Sequence, residues 1–357
     1  MAKFHSIKVA DIYKETKDCS VVTFEIPEEL KQDFTFKQGQ HLTLRKNFEE
    51  GEQRRSYSLC SSPTENKWQV GVKKINGGLF SAYVNDDLKV GDIVEVMPPN
   101  GIFFSEIEPE KAKNYIAFAA GSGITPILSI IKTHLALEPN SSFQLFYLNR
   151  SVKSIIFKEE IELLRNRYFG RFEIFHFLTK EKRNIPLFNG RFTKEKLDIL
   201  TNKIIDVPSI DECFICGPEE MVFLIRDAML EAGMSKEKVR FELFNTGLSE
   251  EQKLRTKQIL EKKVEGTEVT IIDGGKEFHF VMDDDFDNIL DGALAAGADL
   301  PFACKGGVCS TCRCKVIEGE VEMKVNYALD ENEVAKNYIL SCQAVPISKK
   351  VVVDFGA

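Results

Sequence analysis

Apolar and polar positions alternate along the first hundred residues, give way to unbroken apolar runs and helical spacing in the middle of the chain, and alternate again near its end. Segments 7–12, 19–26, 41–45 and 68–74 keep a period of two between turn residues. That pattern predicts short strands closing into a small antiparallel barrel over residues 1–105. From about residue 106 strands alternate with helices: 115–120 is a buried-strand run, 121–126 a glycine turn, and 127–137 carries apolar residues at helical spacing. Such alternation predicts a parallel sheet over 106–247. Farther on, 268–272 and 278–281 read as strands, and 289–302 as an apolar-periodic helix stopped by Gly297. Between these modules, 248–263 is charged, lacks glycine and proline, and has too few apolar residues for a core. It reads as a partly helical tether, although a fixed connector fits the same composition. The remaining module is 264–357.

A chain of 357 residues that is 43% hydrophobic can hold two to three domains with cores of their own. Its net charge of −8 is unevenly spread: residues 265–357 hold 17 acidic and 8 basic side chains, a net of −9, which leaves 1–264 at +1. The densest acidic run is Asp283-Asp284-Asp285 with Asp287. Such a face steers a basic partner, and it serves equally as a solvated surface. Nine cysteines without an extracellular framework predict a reducing cytoplasm. The polar opening Met1-Ala2-Lys3-Phe4-His5-Ser6 predicts no secretory leader, and no apolar run approaches the ~18–20 residues of a membrane span. A pI of about 5.4 and the absence of a basic patch speak against nucleic acid as a partner.

The strongest chemical signal is Cys304-Lys305-Gly306-Gly307-Val308-Cys309-Ser310-Thr311-Cys312, followed after a gap by Cys342. This C-x₄-C-x₂-C…C spacing is that of a plant-type [2Fe–2S] cluster. A tight loop supplies three thiolates and another part of the fold the fourth. Gly306 and Gly307 let the backbone curl toward the sulfides, and the small Ser310 and Thr311 leave room. Zinc sites usually pair two short cysteine or histidine elements, and only one such loop exists here. Cys314 reads as packing on the outgoing strand. With the surrounding 268–302 and Tyr338-Ile339-Leu340-Ser341-Cys342-Gln343, this region resembles a plant-type ferredoxin domain, a β-grasp fold, over about 90 residues.

Two N-terminal segments extend the resemblance. Arg54-Arg55-Ser56-Tyr57-Ser58-Leu59 is similar to the flavin-binding strand of the ferredoxin–NADP reductase family, and Gly71–Val84, a strand, glycine turn and short helix, is similar to its pyrophosphate seat. The resemblance implies that Arg55 pairs with the FAD pyrophosphate, Tyr57 covers the isoalloxazine, Ser58 approaches N5, and Ser56, Val72 and Lys73 line the same site. Gly78, Leu79, Phe80 and Ser81 then hold phosphate at a helix N-terminus, whose unpaired N–H groups favour anions. Read without the resemblance, these are an edge strand and an ordinary hairpin-to-helix turn.

Gly121-Ser122-Gly123-Ile124-Thr125-Pro126 departs from the dinucleotide fingerprint G-x-G-x-x-G but matches the G-x-G-I-T-P turn of the same family, which implies nicotinamide nucleotide at Gly121, Gly123, Thr125 and Pro126. The next strand ends in Asn149-Arg150-Ser151 with no carboxylate for a free ribose 2′-hydroxyl, so NADPH is expected over NADH. A solvated loop arginine fits the same residues. Cys213 and Cys216 lie three apart on an apolar strand and point to opposite faces, which excludes a dithiol pair. The family's C-G-P-x-x-M signature instead implies Cys216, Gly217 and Pro218 at the nicotinamide, with Ser58 and Cys216 flanking the hydride path, and Phe244 facing the flavin. The whole chain thus resembles the oxygenase reductases with a C-terminal ferredoxin. That implies a multidomain fold of FAD barrel, α/β nucleotide domain and β-grasp ferredoxin, an NAD(P)H–FAD–[2Fe–2S] relay, and a separate di-iron or other oxygenase as electron acceptor. A redox-sensing interaction module and a self-contained oxidase are the readings from other classes.

Overall fold

The computed structural model describes residues 3–244, 250–282 and 284–356; the 247/248 boundary, Ser249 of the charged segment and Asp283 of the acidic run lie outside them. The chain packs as two units, one of them Thr246–Ala357 with Met1–Phe4 and Arg54–Ser56, the other the rest of the first 245 residues.

The larger unit begins with an antiparallel sheet. Strands β1 (His5–Thr16), β2 (Cys19–Glu25), β3 (His41–Phe48), β4 (Gly51–Ser58), β5 (Trp68–Lys73) and β6 (Ile93–Val96) pair in the order β4-β3-β6-β1-β2-β5. Their inward positions bury Ile7, Val9, Val22, Leu42, Leu44, Val70 and Val72, and Trp68 closes one end by donating its indole N–H to the Phe34 carbonyl at 2.7 Å. Where the alternation fails after β5, helix α1 (Leu79–Asp86) packs Phe80 and Val84 on the same core.

A parallel sheet comes next, in which β7 (Asn114–Ala120), β8 (Ser142–Asn149), β9 (Phe172–Leu178), β10 (Glu212–Gly217) and β11 (Val239–Leu243) take the order β11-β10-β7-β8-β9. The connections are helices α2 (Ile124–Leu137), α3 (Lys158–Arg167), α4 (Lys194–Lys203) and α5 (Glu219–Glu231). Helix α2 starts three residues earlier than its spacing predicts. Thr125 and Pro126 lie in its first turn, where a missing N–H leaves no helical bond unmade. Cys19, Val21, Cys60 and Phe103 of the barrel share one core with α2 and the parallel sheet, so the two sheets of this unit are fused rather than strung together.

In the smaller unit helix α6 (Glu250–Leu260) comes first, within the charged segment. Ile259 is buried, Gln252 bonds the Tyr327 hydroxyl, and Lys262 bonds Glu322 at 2.6 Å. The segment is therefore attached to the module on its C-terminal side. Strands β12 (Glu268–Asp273), β13 (Lys276–Val281), β14 (Arg313–Glu318), β16 (Tyr338–Leu340) and β18 (Lys350–Asp354) form a mixed sheet, β13-β12-β18-β14-β16, and β15 (Val321–Met323) pairs with β17 (Ala344–Pro346). Helix α7 (Ile289–Ala295) lies on this sheet and is shorter than the predicted 289–302, because Gly297 at φ +95° turns the chain out two residues beyond its end. A short helix α8 (Glu331–Ala335) with a complete capping box precedes β16. Cys314 sits in β14 opposite Ile339, 2% exposed and within the core. Among the described residues no helix is long and apolar enough to cross a membrane.

Candidate functional site

The loop between α7 and β14 carries three of the four predicted thiols, and the β16–β17 turn carries the fourth. Between Cys304 and Cys309 two residues adopt left-handed backbone, Lys305 at φ +51° and Gly307 at φ +75°. A Cβ on Gly307 would stand 3.1 Å from the Val325 carbonyl oxygen and 3.2 Å from Gln343 Cγ, so close approach demands glycine there as much as the dihedral does. The thiols stand as two pairs. Cys309 donates to Cys304 Sγ at 3.1 Å, and that bond draws Cys304 down to about 6 while Cys309 is raised. In the same way Cys312 donates to Cys342, lowering the second thiol and raising the first. The Gly306 N–H also points at Cys304 Sγ, at 3.3 Å. Two soft thiol pairs with backbone N–H support suit a two-iron cluster.

In the larger unit, β4 presents Tyr57 half-buried against Phe80, with ring centroids 6.0 Å apart. Arg55, in the stretch of β4 that groups with the smaller unit, is exposed and bonds the Arg54 carbonyl. Helix α1 opens at Gly78, which gives no side-chain cap and whose Cβ would meet Ser81 Oγ at 2.7 Å. The Ser81 hydroxyl is engaged by the turn itself, accepting from Ile75 N–H and donating to the Gly78 carbonyl, both at 3.1 Å. The free donors at this end are backbone N–H groups. From β5, Val72 is buried in the barrel, and the Lys73 ammonium reaches the turn after β7, 3.7 Å from where a Gly121 Cβ would lie.

That turn is set by contacts that leave no space for side chains. Gly121 has φ +53° and its carbonyl accepts from the Tyr147 hydroxyl at 2.9 Å. A Cβ on Gly123 would fall 2.3 Å from the Cys216 carbonyl oxygen, and one on Gly217 2.6 Å from Met221 Cε. The ends of β7 and β10 are thus pressed together, and Pro218 caps α5 beside them. Thr125 is 1% exposed. Its hydroxyl closes its own turn onto the Ser122 carbonyl at 3.0 Å, and its methyl lies against Gly71, where a Cβ would come within 2.8 Å of it. It seats the turn against the barrel.

At the end of β8 the Asn149 amide nitrogen is buried without a partner, Arg150 is exposed, and Ser151 is tied to Ser154. The loop after β9 bonds back to this turn through Lys180 N–H to the Arg150 carbonyl at 2.8 Å and Val152 N–H to Glu181 at 3.1 Å. Beside them opens a cavity of about 630 Å³ lined by Phe188, Ile185 and Leu178, by Lys158, Lys182 and Arg183, and by Glu162 and Glu181. It lies at the carboxyl ends of β8 and β9, where open α/β sheets take their ligands.

Ser58 and Cys216, distant in sequence, are joined by a residue that motif reading passes over. Ser58 is 4% exposed and donates to Glu242 Oε2 at 3.3 Å; Glu242 is the register neighbour of Cys216 across the β10–β11 ladder. Burial lifts the Glu242 carboxyl to about 8 against the lowering effect of the Ser58 bond, and burial together with Glu242 raises the Cys216 thiol. The available signal was an acid between Phe241 and Leu243 in β11. Cys213 is buried on the other face, outside the core that holds Cys216, and neither is in a disulfide. Phe244, just past β11, is 41% exposed.

Three family descriptions match in series: an oxidoreductase FAD-binding domain over residues 6–104, an oxidoreductase NAD-binding domain over 118–227, and a 2Fe-2S iron-sulfur cluster binding domain over 271–346. The chain is 42% identical over 357 residues, all of its own length and 99% of the relative's, to a subunit of the 1,2-phenylacetyl-CoA epoxidase of Escherichia coli K12. The chain belongs to the ferredoxin–NADP reductase-type oxygenase reductases. This reductase is also 32% identical to the ferredoxin reductase component of 3-ketosteroid-9-alpha-monooxygenase from Rhodococcus rhodochrous, with 98% of its own length and 96% of the relative's covered. Among solved structures, phthalate dioxygenase reductase aligns over 99% of this chain and 98% of its own at a TM-score of 0.59 and 25% identity. The reductase is an NAD(P)H-dependent flavin and iron–sulfur oxidoreductase, and electrons pass from NAD(P)H through FAD to the cluster.

Proposed function

We propose that the reductase draws on NADPH and delivers electrons to a separate di-iron oxygenase that epoxidises phenylacetyl-CoA, in a cytoplasmic aromatic-degradation pathway. The observation that carries the partner is end-to-end relatedness, 42% identical, to a 1,2-phenylacetyl-CoA epoxidase subunit. Bound FAD accepts a hydride, two electrons together, and the iron–sulfur centre takes electrons singly. In this reading Cys304, Cys309, Cys312 and Cys342 hold the cluster as two pairs. Arg55, Ser56, Tyr57, Val72, Gly78 and the N–H groups of Leu79, Phe80 and Ser81 bind FAD, and Phe244 covers it. Ser58, Glu242 and Cys216 line the hydride path, the carboxyl holding a proton at neutral pH. Lys73, Gly121, Gly123, Thr125, Pro126, Gly217 and Pro218 shape the nicotinamide seat. NADPH is favoured because Asn149-Arg150-Ser151 itself lacks a carboxylate and Lys158, Lys182 and Arg183 outnumber Glu162 and Glu181 in the lining of the adjoining cavity. The domain limits follow as 1–105, 106–247 and 264–357.

Steady-state turnover tests the reading. NADPH should reduce cytochrome c over many cycles with a higher kcat/KM than NADH. Cys309→Ser should abolish cytochrome c reduction while ferricyanide, which takes electrons from the flavin directly, is still reduced. Product formation with the di-iron epoxidase components identifies the acceptor; activity only with a steroid monooxygenase would favour the second reading, another oxygenase as acceptor, which the 3-ketosteroid-9-alpha-monooxygenase relative supports. A single slow reduction event would favour a redox sensor, and peroxide formation unaffected by deleting 265–357 a self-contained oxidase.

A further inference from the structure

Gln343 follows the fourth cysteine and is 7% exposed, an uncharged polar side chain enclosed beside the sulfur loop. Its amide nitrogen donates to the Lys305 carbonyl at 2.9 Å and reaches Cys342 Sγ at 3.6 Å. The orientation of the amide follows from its partner, since a carbonyl oxygen only accepts. The Lys305 carbonyl belongs to the peptide unit whose other end, the Gly306 N–H, points at Cys304 Sγ at 3.3 Å. Lys305 holds this plane in left-handed backbone, φ +51°, and its ammonium is anchored on Asp291 at 2.6 Å. One amide group therefore touches both thiol pairs: Cys342 directly, and Cys304 through a polarised peptide.

We propose that Gln343 is a positioning residue that sets the reduction potential of the cluster upward. The inference rests on Cys304 and Cys342 being ligands. Adding an electron increases negative charge on the ligand sulfurs, and N–H dipoles aimed at them stabilise that state more than the oxidised one. Hydrogen bonds in series polarise one another, so the Gln343 amide strengthens the Gly306 donor as well as making its own contact. Gln343 and Cys342 are both enclosed, which keeps water from substituting for the contact between them. The consequence for the relay is that Gln343 makes electron transfer from flavin to cluster more favourable, and its loss would leave electrons on the flavin.

The test uses the full-length holoprotein in a potentiometric titration. The reduced cluster is followed by EPR and the flavin by absorbance in the same sample. Gln343→Met keeps length and removes the donor; Gln343→Glu keeps shape and replaces donor by acceptor. The ratio of reduced to oxidised cluster at the wild-type midpoint should fall about tenfold in Gln343→Met, given the strength of a hydrogen bond to a charged group. That is a midpoint lower by about 59 mV for one electron. It should fall further in Gln343→Glu, with the flavin midpoint unmoved. Unchanged cluster midpoints, or equal shifts of cluster and flavin, would overturn the proposal. Should either variant not load iron, wild-type protein grown with ¹⁵N-amide glutamine decides: pulsed EPR should show coupling of a side-chain nitrogen to the reduced cluster, and no coupling overturns it. Iron and sulfide content of Cys342→Ala reports separately on the ligand reading, since full occupancy there would remove the premise and leave Gln343 without a thiolate to act on.

Discussion

Glu242 shows how one acid acquires a role from its surroundings. On β11 it lies between apolar neighbours, and desolvation raises its carboxyl from 4.5 to about 8, so the folded protein keeps a proton there that the unfolded chain releases above about pH 4.5. Protons bound only by the folded state make its stability fall as pH rises. This contribution is fully present below about 4.5 and is lost as pH climbs through about 8. Glu242→Gln removes the titration while keeping a hydrogen-bond partner for Ser58. The expected result is a thermal midpoint that declines less between pH 5 and 8 than in wild type, by a few degrees at pH 8 for a unit of this size. Equal declines in both proteins would show that Glu242 titrates normally. The same variant should change the rate of flavin reduction in stopped flow, because the Glu242 carboxyl accepts from Ser58 and pairs in register with Cys216 on the proposed hydride path.

At the scale of elements, the nucleotide seat depends on strands and turns meeting without side chains between them. The turn after β7 touches the end of β10 at Gly123, where an added Cβ would sit 2.3 Å from a backbone oxygen. Backbone cannot yield as a flexible side chain does, so Gly123→Ala should destabilise the protein by about 1–3 kcal/mol. It should also raise the KM for NADPH more than it lowers ferricyanide reduction at saturating NADPH. Denaturant unfolding and steady-state kinetics check both; a KM equal to wild type would mean that the β7–β10 contact does not shape the seat. The turn was legible in the sequence as G-x-G-I-T-P, whereas the use of Thr125 was not. Its hydroxyl closes the helix start and its methyl abuts Gly71 on the barrel, a contact between residues 54 positions apart that no local pattern encodes.

For the whole molecule, charge is the property that composition alone exposes: a net of −9 in residues 265–357 against +1 in the rest. Long-range attraction between a charged module and an oppositely charged acceptor speeds encounter and is screened by salt. Reduction of the basic acceptor cytochrome c should therefore slow roughly tenfold between about 0.01 M and 0.15 M ionic strength, while NADPH-to-ferricyanide electron transfer in the same preparations changes much less. Equal salt dependence of the two reactions would show that the acidic module does no steering. The sequence by itself determined the order of the three cofactor modules, the cysteine spacing and the strand and helix periodicity, because each is written in short segments whose chemistry is local. Tertiary structure alone decided that the thiols stand in pairs, that Glu242 joins Ser58 to Cys216, that Gln343 reaches both sulfur pairs, and that the charged segment bonds to the ferredoxin-like module through Gln252 and Lys262. Those relations are distances between residues far apart in the chain, and burial, which raises one carboxyl and aims one amide, exists only after folding has removed the water.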